Sequence, residues 1–303
     1  MRSITFYKSI KGKIVAITIG TTLLITLLTV GVCFTVFQSL LYRNQIQSVE
    51  FSLQLVSGNV SSDMDDIQSF LRWCSSNSHI LNYLETFHDK DPLSVVSKDN
   101  KGLKSIAVNA FERLKEEYHN TRPARYITRV VVSNNGSTNY LQVLPTSGDT
   151  SSYNVASLAQ SELLTSLLAS PDLKYSGIIN DPFYQEFQET PILPMIRPVY
   201  NPFGSDVIGW VYLSVSANII TDRLKSFPLP TDSCLYVSAG DQFYLVRDNG
   251  FQEISRDFTP LSPEKTDGTD PRTSVQKVRM ADGALETLIT FPMGQDGWYI
   301  HQI

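Results

Sequence analysis

Hydrophobic residues dominate the chain from Ile14 to Tyr42, where IVAITIGTTLLITLLTVGVCFTVFQSLLY contains no charged side chain. A helix needs about 20 apolar residues to cross the hydrocarbon core of a bilayer, so this stretch predicts a transmembrane helix over 14–42. It is far longer than the roughly 7–15 apolar residues of a cleaved signal peptide, and is expected to stay in the mature protein. Beyond it, apolar side chains recur at steps of three and four, from Ile46 through Val49, Leu53 and Val56 to Leu71 and Cys74. That spacing predicts a stalk helix continuous with the span and ending near Ser75. The steps follow heptads with one additional four-residue step. They predict a parallel homodimer contact beside the membrane and contact with the chain's own domain further out. SHILNYLETF then reads as a short helix, and KGLKSIAVNAFERLKEEYHN as an amphipathic one with Ala110, Leu114 and Tyr118 on its apolar face.

After residue 120 the period changes to two. RYITRVVV (125–132) and residues 139–144, separated by Ser133-Asn134-Asn135-Gly136, read as a β-hairpin. Residues 156–169 are helical again. ILPMIRPVY (192–200) and VIGWVYLSVS (207–216) are strands flanking the loop NPFGSD, and Pro194 and Pro198 mark the first as an edge or interrupted strand. A short helix over 217–227 runs into Pro228-Leu229-Pro230, the strongest boundary in the chain. Five further strands are expected at 233–238, 242–246, 273–279, 285–291 and 298–303, with 255–272 as a surface loop rich in Pro, Asp, Thr and Ser. The fold class is therefore α+β: a transmembrane helix, a long stalk helix, and two antiparallel-sheet units.

Charge orients the anchor. Residues 1–42 hold Arg2, Lys8, Lys11 and Lys13 and no acid, so all 30 acidic residues follow the apolar run. Cations on the leading side place the N-terminus in the cytoplasm and the C-terminal region outside the cell membrane. The acidic remainder carries no basic stripe, which excludes nucleic acid as a partner. Cys33, Cys74 and Cys234 have no metal-ligand spacing; Cys74 and Cys234 are expected as buried or half-buried thiols rather than a disulfide. No nucleophile elbow, zinc-protease, phosphate-loop or dinucleotide motif occurs, so no catalytic residue, metal or cofactor is assigned and the chain is not expected to be an enzyme. Asp63, Asp65 and Asp66 read as a solvated helix face.

SIKGKIVAITIG, SSNSHILNYL, ITRVVVSNNGSTNY, PMIRPVYNPFGSDVIGWVYLSVSANIITDRL and DGWYIHQI, taken in this order and spacing, resemble the sensing half of YesM-like two-component sensor histidine kinases. The resemblance implies a double Cache module: two PAS-like units on a long helix, with ligand usually taken by the membrane-distal one. It sets the expected boundaries at 1–13 (cytoplasmic), 14–42 (transmembrane), 43–119 (stalk and flanking helices), 120–227 (distal unit) and 228–303 (proximal unit). It also implies a second transmembrane helix, a linker and a kinase, none of which lies within this chain. His79, His88, His119 and His301 are isolated and form no phospho-acceptor region.

A small-ligand site is concave and largely apolar with a few fixed polar groups. Tyr175, Asp181 and Tyr184 stand in a loop expected to cap the distal sheet, beside Phe183, with Arg197, Trp210 and Tyr212 on the strands beneath. Asp181 suits an ammonium, Arg197 a carboxylate, and the aromatic rings a sugar or other ring, so a small, carbohydrate-like extracellular ligand is expected. Trp210 and Tyr212 share one face of their strand; Val211, Leu213 and Val215 share the other, which suits a helix. The plainer reading makes both aromatics core. Two functions follow from the pattern: the ligand-sensing region of a membrane-bound signalling receptor, or a membrane-anchored surface binding or scaffold protein without kinase output.

Overall fold

A computed structural model describes residues 10–88, 101–136, 138–143, 155–169, 177–181, 191–226, 233–247, 250–261, 272–294 and 297–303. One helix, α1 (Ile10–Ser76), takes in both the apolar run and the stalk. Its most apolar 18-residue window has mean hydropathy 2.2 and is exposed throughout, so the helix is long and apolar enough to cross a membrane. The chain divides into two units, Met1–Phe51 and Ser52–Ile303.

In the second unit α1 is a core element. Leu53, Val56, Val60, Met64, Ile67 and Cys74 are all buried. The Ser57 hydroxyl donates to the carbonyl of Pro292 at 2.7 Å, and the Phe70 ring lies edge-on to Tyr118. Leu53 and Val56, which the sequence places in a dimer seam, are at 0% and 1% exposure covered by their own chain. Asp63 is likewise not merely solvated. Its Oδ2 accepts from Nη2 and Nε of Arg223, at 2.6 and 3.0 Å, and so pins a later helix to α1. Asn77 then breaks α1 with extended backbone, its side chain accepting from the amides of His79 and Ile80 to cap α2 (Ser78–Thr86). The amphipathic α3 (Lys101–Asn120) buries Ala110, Leu114 and Tyr118.

The N-terminal sheet contains β1 (Ile127–Asn134), β2 (Tyr140–Val143), β3 (Ile179–Asn180), β4 (Pro191–Tyr200) and β5 (Val207–Ser216), in the order β2-β1-β5-β4-β3. All of its pairings are antiparallel. Pro194 and Pro198 do not interrupt β4; among the described residues β3 pairs with Pro191 and Ile192 alone, so neither proline has to donate to it. The turn after β1 is built on buried Asn134, whose amide donates to the carbonyls of Phe87 and His88 at the end of α2. The helical stretch expected over 156–169 is two short helices, α4 (Val155–Ala159) and α5 (Glu162–Ala169). Ser161 separates them, its hydroxyl accepting from the amide of Leu164. After α6 (Asn218–Lys225), Pro228-Leu229-Pro230 lies outside the described residues.

The C-terminal sheet has seven strands in the order β8-β7-β6-β12-β11-β10-β9. They are β6 (Leu235–Ala239), β7 (Gln242–Arg247), β8 (Gly250–Glu253), β9 (Phe258–Pro260), β10 (Ser274–Met280), β11 (Leu285–Pro292) and β12 (Trp298–Gln302). Strands β8 and β9 were not expected from the sequence, and β9 falls inside the predicted surface loop. Gly240 and Gly283 turn the hairpins with φ of 59° and 89°, backbone that side chains with a Cβ rarely adopt. Cys74 is buried and its thiol is pushed well up by that burial, while Cys234 is exposed rather than half-buried, and neither forms a disulfide.

Candidate functional site

Cross-strand register decides which side chains of the N-terminal sheet share a face. Gln142, Val131, Tyr212 and Ile196 form one row, each directly paired with the next. The flanking rows on that face hold Arg129, Ser214 and Pro194 on one side, and Ser133, Trp210 and Pro198 on the other. Trp210 and Tyr212 pack with Val131, Ile196, Leu158, Leu164 and Leu167, so α4 and α5 line this face. Gly209, on the opposite face, lies against Leu84 of α2, where a Cβ would crowd the leucine methyls.

Of the six residues expected to form a site, the structure brings together Asp181, Trp210 and Tyr212. Asp181 follows β3 and is buried, and its carboxylate acts on the Tyr212 hydroxyl. Arg197 does not join them. It pairs with Val211, so it stands on the other face, and it is exposed. The hairpin register places it there, one strand position out of phase with the aromatic face. Tyr175 and Tyr184, like Phe183, lie outside the described residues.

Two residues missed from the sequence complete the face. Arg129 is only 4% exposed, as is Asp181. A register shift between Ile127 and Arg129 sets Ile127 opposite Val215 but Arg129 opposite Ser214, so the irregularity turns the guanidinium onto the Tyr212 side. The Thr128 hydroxyl holds the irregularity by donating to the carbonyl and hydroxyl of Ser214. Gln142 on β2 is the second. The one sequence signal for Arg129 is a cation set among valines in a strand otherwise apolar on both faces.

Electrostatically the face is a buried acid and a buried base around a phenol. Burial foremost, then the Asp181 carboxylate, holds the Tyr212 hydroxyl far above its usual range, while the neighbouring Ser214 hydroxyl and then the Arg129 cation pull the other way. Tyr212 is therefore a neutral donor at physiological pH. Its oxygen and the Nε2 of Gln142 are both buried and have no hydrogen-bond partner among the described residues. Unpaired buried donors of this kind destabilise a fold by about 1–3 kcal/mol each. The two lie on one face, about two strand spacings or ~10 Å apart.

Other concavities are less suited. A groove of about 360 Å³ lined by Trp73, His79, Arg113, Glu116 and Glu117 is polar and open, with the Arg113–Glu116 pair more than half exposed. On the C-terminal sheet, Tyr236, Phe243, Phe258, Val278 and Leu288 close over one another as core. His301 lies at the edge of this cluster. Its Nε2 hydrogen-bonds the Ser238 hydroxyl at 2.8 Å and its Nδ1 the Thr290 hydroxyl at 2.9 Å. Among the described residues, no group of His, Cys, Asp and Glu is arranged to hold a metal.

A long helix backing two antiparallel sheets, with short helices over the outer face of the first, is the fold of bacterial chemoreceptor sensory domains. The periplasmic sensory domain of the Campylobacter jejuni chemoreceptor Tlp1 superposes with a TM-score of 0.52 at 9% identity, over 87% of this chain and 94% of that one. The ligand-binding domains of the Pseudomonas aeruginosa PAO1 amino acid chemoreceptors PctC, in complex with GABA, and PctB, with L-Arg, match at 14% and 13% identity. Both have a TM-score of 0.49 and cover 84% of this chain, with 96% and 92% of their own. No family model matches the chain, and no curated protein matches its sequence.

Proposed function

We propose that this chain is the ligand-sensing extracytoplasmic region of a membrane-bound receptor. In this reading the N-terminus lies in the cytoplasm, the N-terminal sheet is the membrane-distal ligand-binding unit, and the C-terminal sheet is the proximal one. The observation that carries it is a pair of buried polar atoms, on Tyr212 and Gln142, that make no full hydrogen bond among the described residues, on the face that also holds buried Asp181 and Arg129. A core without a ligand gains nothing from such a set, whereas a small polar ligand satisfies it. The ligand is small and polar, with the Trp210 ring as part of an apolar wall. The quoted resemblance to YesM-like sensors assigns the output to a two-component histidine kinase, with the kinase outside this chain. The test is thermal unfolding of the full chain in detergent against a panel of sugars and amino acids. At least one compound is expected to raise the midpoint of the wild type and to lose its effect in Asp181→Asn and Tyr212→Phe. A compound that stabilises all three chains equally contradicts the assignment of this face.

A further inference from the structure

The segment that carries Asp181 is gripped from the C-terminal sheet. Tyr244, on β7, donates its hydroxyl proton to the carbonyl of Ile178 at 2.8 Å, in a bond shielded from solvent. Two residues earlier on β7, and so on the same face of the strand, Gln242 lies against Gly177. A Cβ at position 177 would collide with the Gln242 side-chain oxygen. Consecutive residues leading into β3, Gly177 and Ile178, are thus seated on alternate residues of one strand of the C-terminal sheet.

Between Ile178 and Asp181 lies β3, two residues at the sheet edge, paired with Pro191 and Ile192. Pro191 has no N–H to give, and its carbonyl accepts from the amide of Ala217. The C-terminal end of the grip is firm by contrast. Tyr244 is 3% exposed, pairs with Val237 on β6 and Glu253 on β8, and sets its ring edge-on to Phe251. Burial, aided by Glu253, pushes its hydroxyl up to about 12, so it remains a donor across the physiological range.

We propose that Tyr244 is a positioning residue for the N-terminal site, holding the backbone that presents Asp181 and coupling displacement of Asp181 to strand β7 of the C-terminal sheet. The proposal rests on the reading of that face as the ligand site. Coupling of this kind is reciprocal: what shifts Asp181 loads the Tyr244 bond, and loss of the bond frees Asp181.

Hydrogen exchange of the full chain in lipid nanodiscs, followed by mass spectrometry without any ligand, tests it. Tyr244→Phe keeps the ring and removes the donor. The amides of residues 179–181 are expected to exchange on the order of tenfold faster, the consequence of losing one buried hydrogen bond, with β6 and β12 unchanged. Asp181→Asn is expected in turn to alter protection of Leu245 and Val246. Unchanged exchange at 179–181, or equal loosening throughout the C-terminal sheet, overturns the proposal, since the second pattern means a purely structural residue. Should Tyr244→Phe not fold, Gln242→Ala removes the other half of the grip; faster exchange at the same amides supports the proposal, and no change there overturns it. Because no ligand enters, the expected faster exchange at 179–181 together with no ligand bound at the Tyr212 face would refute the receptor reading alone.

Discussion

Lowering the pH from 6.5 to 4 is expected to destabilise the folded chain by about 3 kcal/mol through His301 alone. This imidazole is 6% exposed, lies between two hydroxyls, and has its pKa lowered to about 4, first by burial and second by the Arg256 cation. In the unfolded chain the same group titrates near 6.5. Above that pH neither state holds the proton, and the contribution is fully present. As pH falls through 6.5 the unfolded state takes up a proton that the folded state refuses, and stability drops until pH 4, below which both bind it. A gap of about 2.5 pH units at 1.36 kcal/mol each gives the figure, equivalent to a midpoint on the order of 10 °C lower. His301→Gln keeps a hydrogen-bonding side chain and cannot titrate. Thermal unfolding across this window is therefore expected to show a shallower pH dependence in the variant. Parallel profiles would mean that His301 is accessible to protons in the fold.

Trp210→Ala is expected to cost ~3–5 kcal/mol, the range for deleting a buried aromatic ring, and so to threaten folding outright. Trp210 is 2% exposed and packed between the sheet and the helices α4 and α5. Val155, Leu158, Leu164 and Leu167 hold those helices in the same cluster, so the cavity closes only as far as they can shift. Arg197→Ala is the matched comparison, one register row away, on the opposite face and itself exposed. It is expected to stay within about 0.5 kcal/mol of the wild type. Denaturant unfolding of the two variants decides the matter: similar midpoints would place Trp210 outside the core.

Much of the fold was legible because its signals are local. VIGWVYLSVS, bounded by a Gly- and Pro-bearing loop, coincides with β5 to the residue, and the three-four spacing of the stalk marks the buried side of α1. Periodicity names an apolar face but not what covers it. The same spacing that suggests a partner helix is satisfied by the chain's own strands and by α3. Facing across a hairpin is also non-local: whether Arg197 or Pro198 stands beside Trp210 depends on the register set by the loop between β4 and β5. Arg129 is the clearest case. Strict alternation gives it the same side as Ile127, and only the irregularity at Thr128 separates them. Strands β8 and β9 are four and three residues long and owe their pairing to neighbours rather than to their own pattern.

The claim that the N-terminal sheet binds the ligand is tested most directly by a crystal structure of the protein with the compound that most raises its thermal midpoint. The account predicts that compound on the face bearing Arg129, Gln142, Asp181 and Tyr212, within hydrogen-bond reach of the Tyr212 oxygen. A compound seated instead against Phe243, Arg256 and His301 on the C-terminal sheet would contradict it.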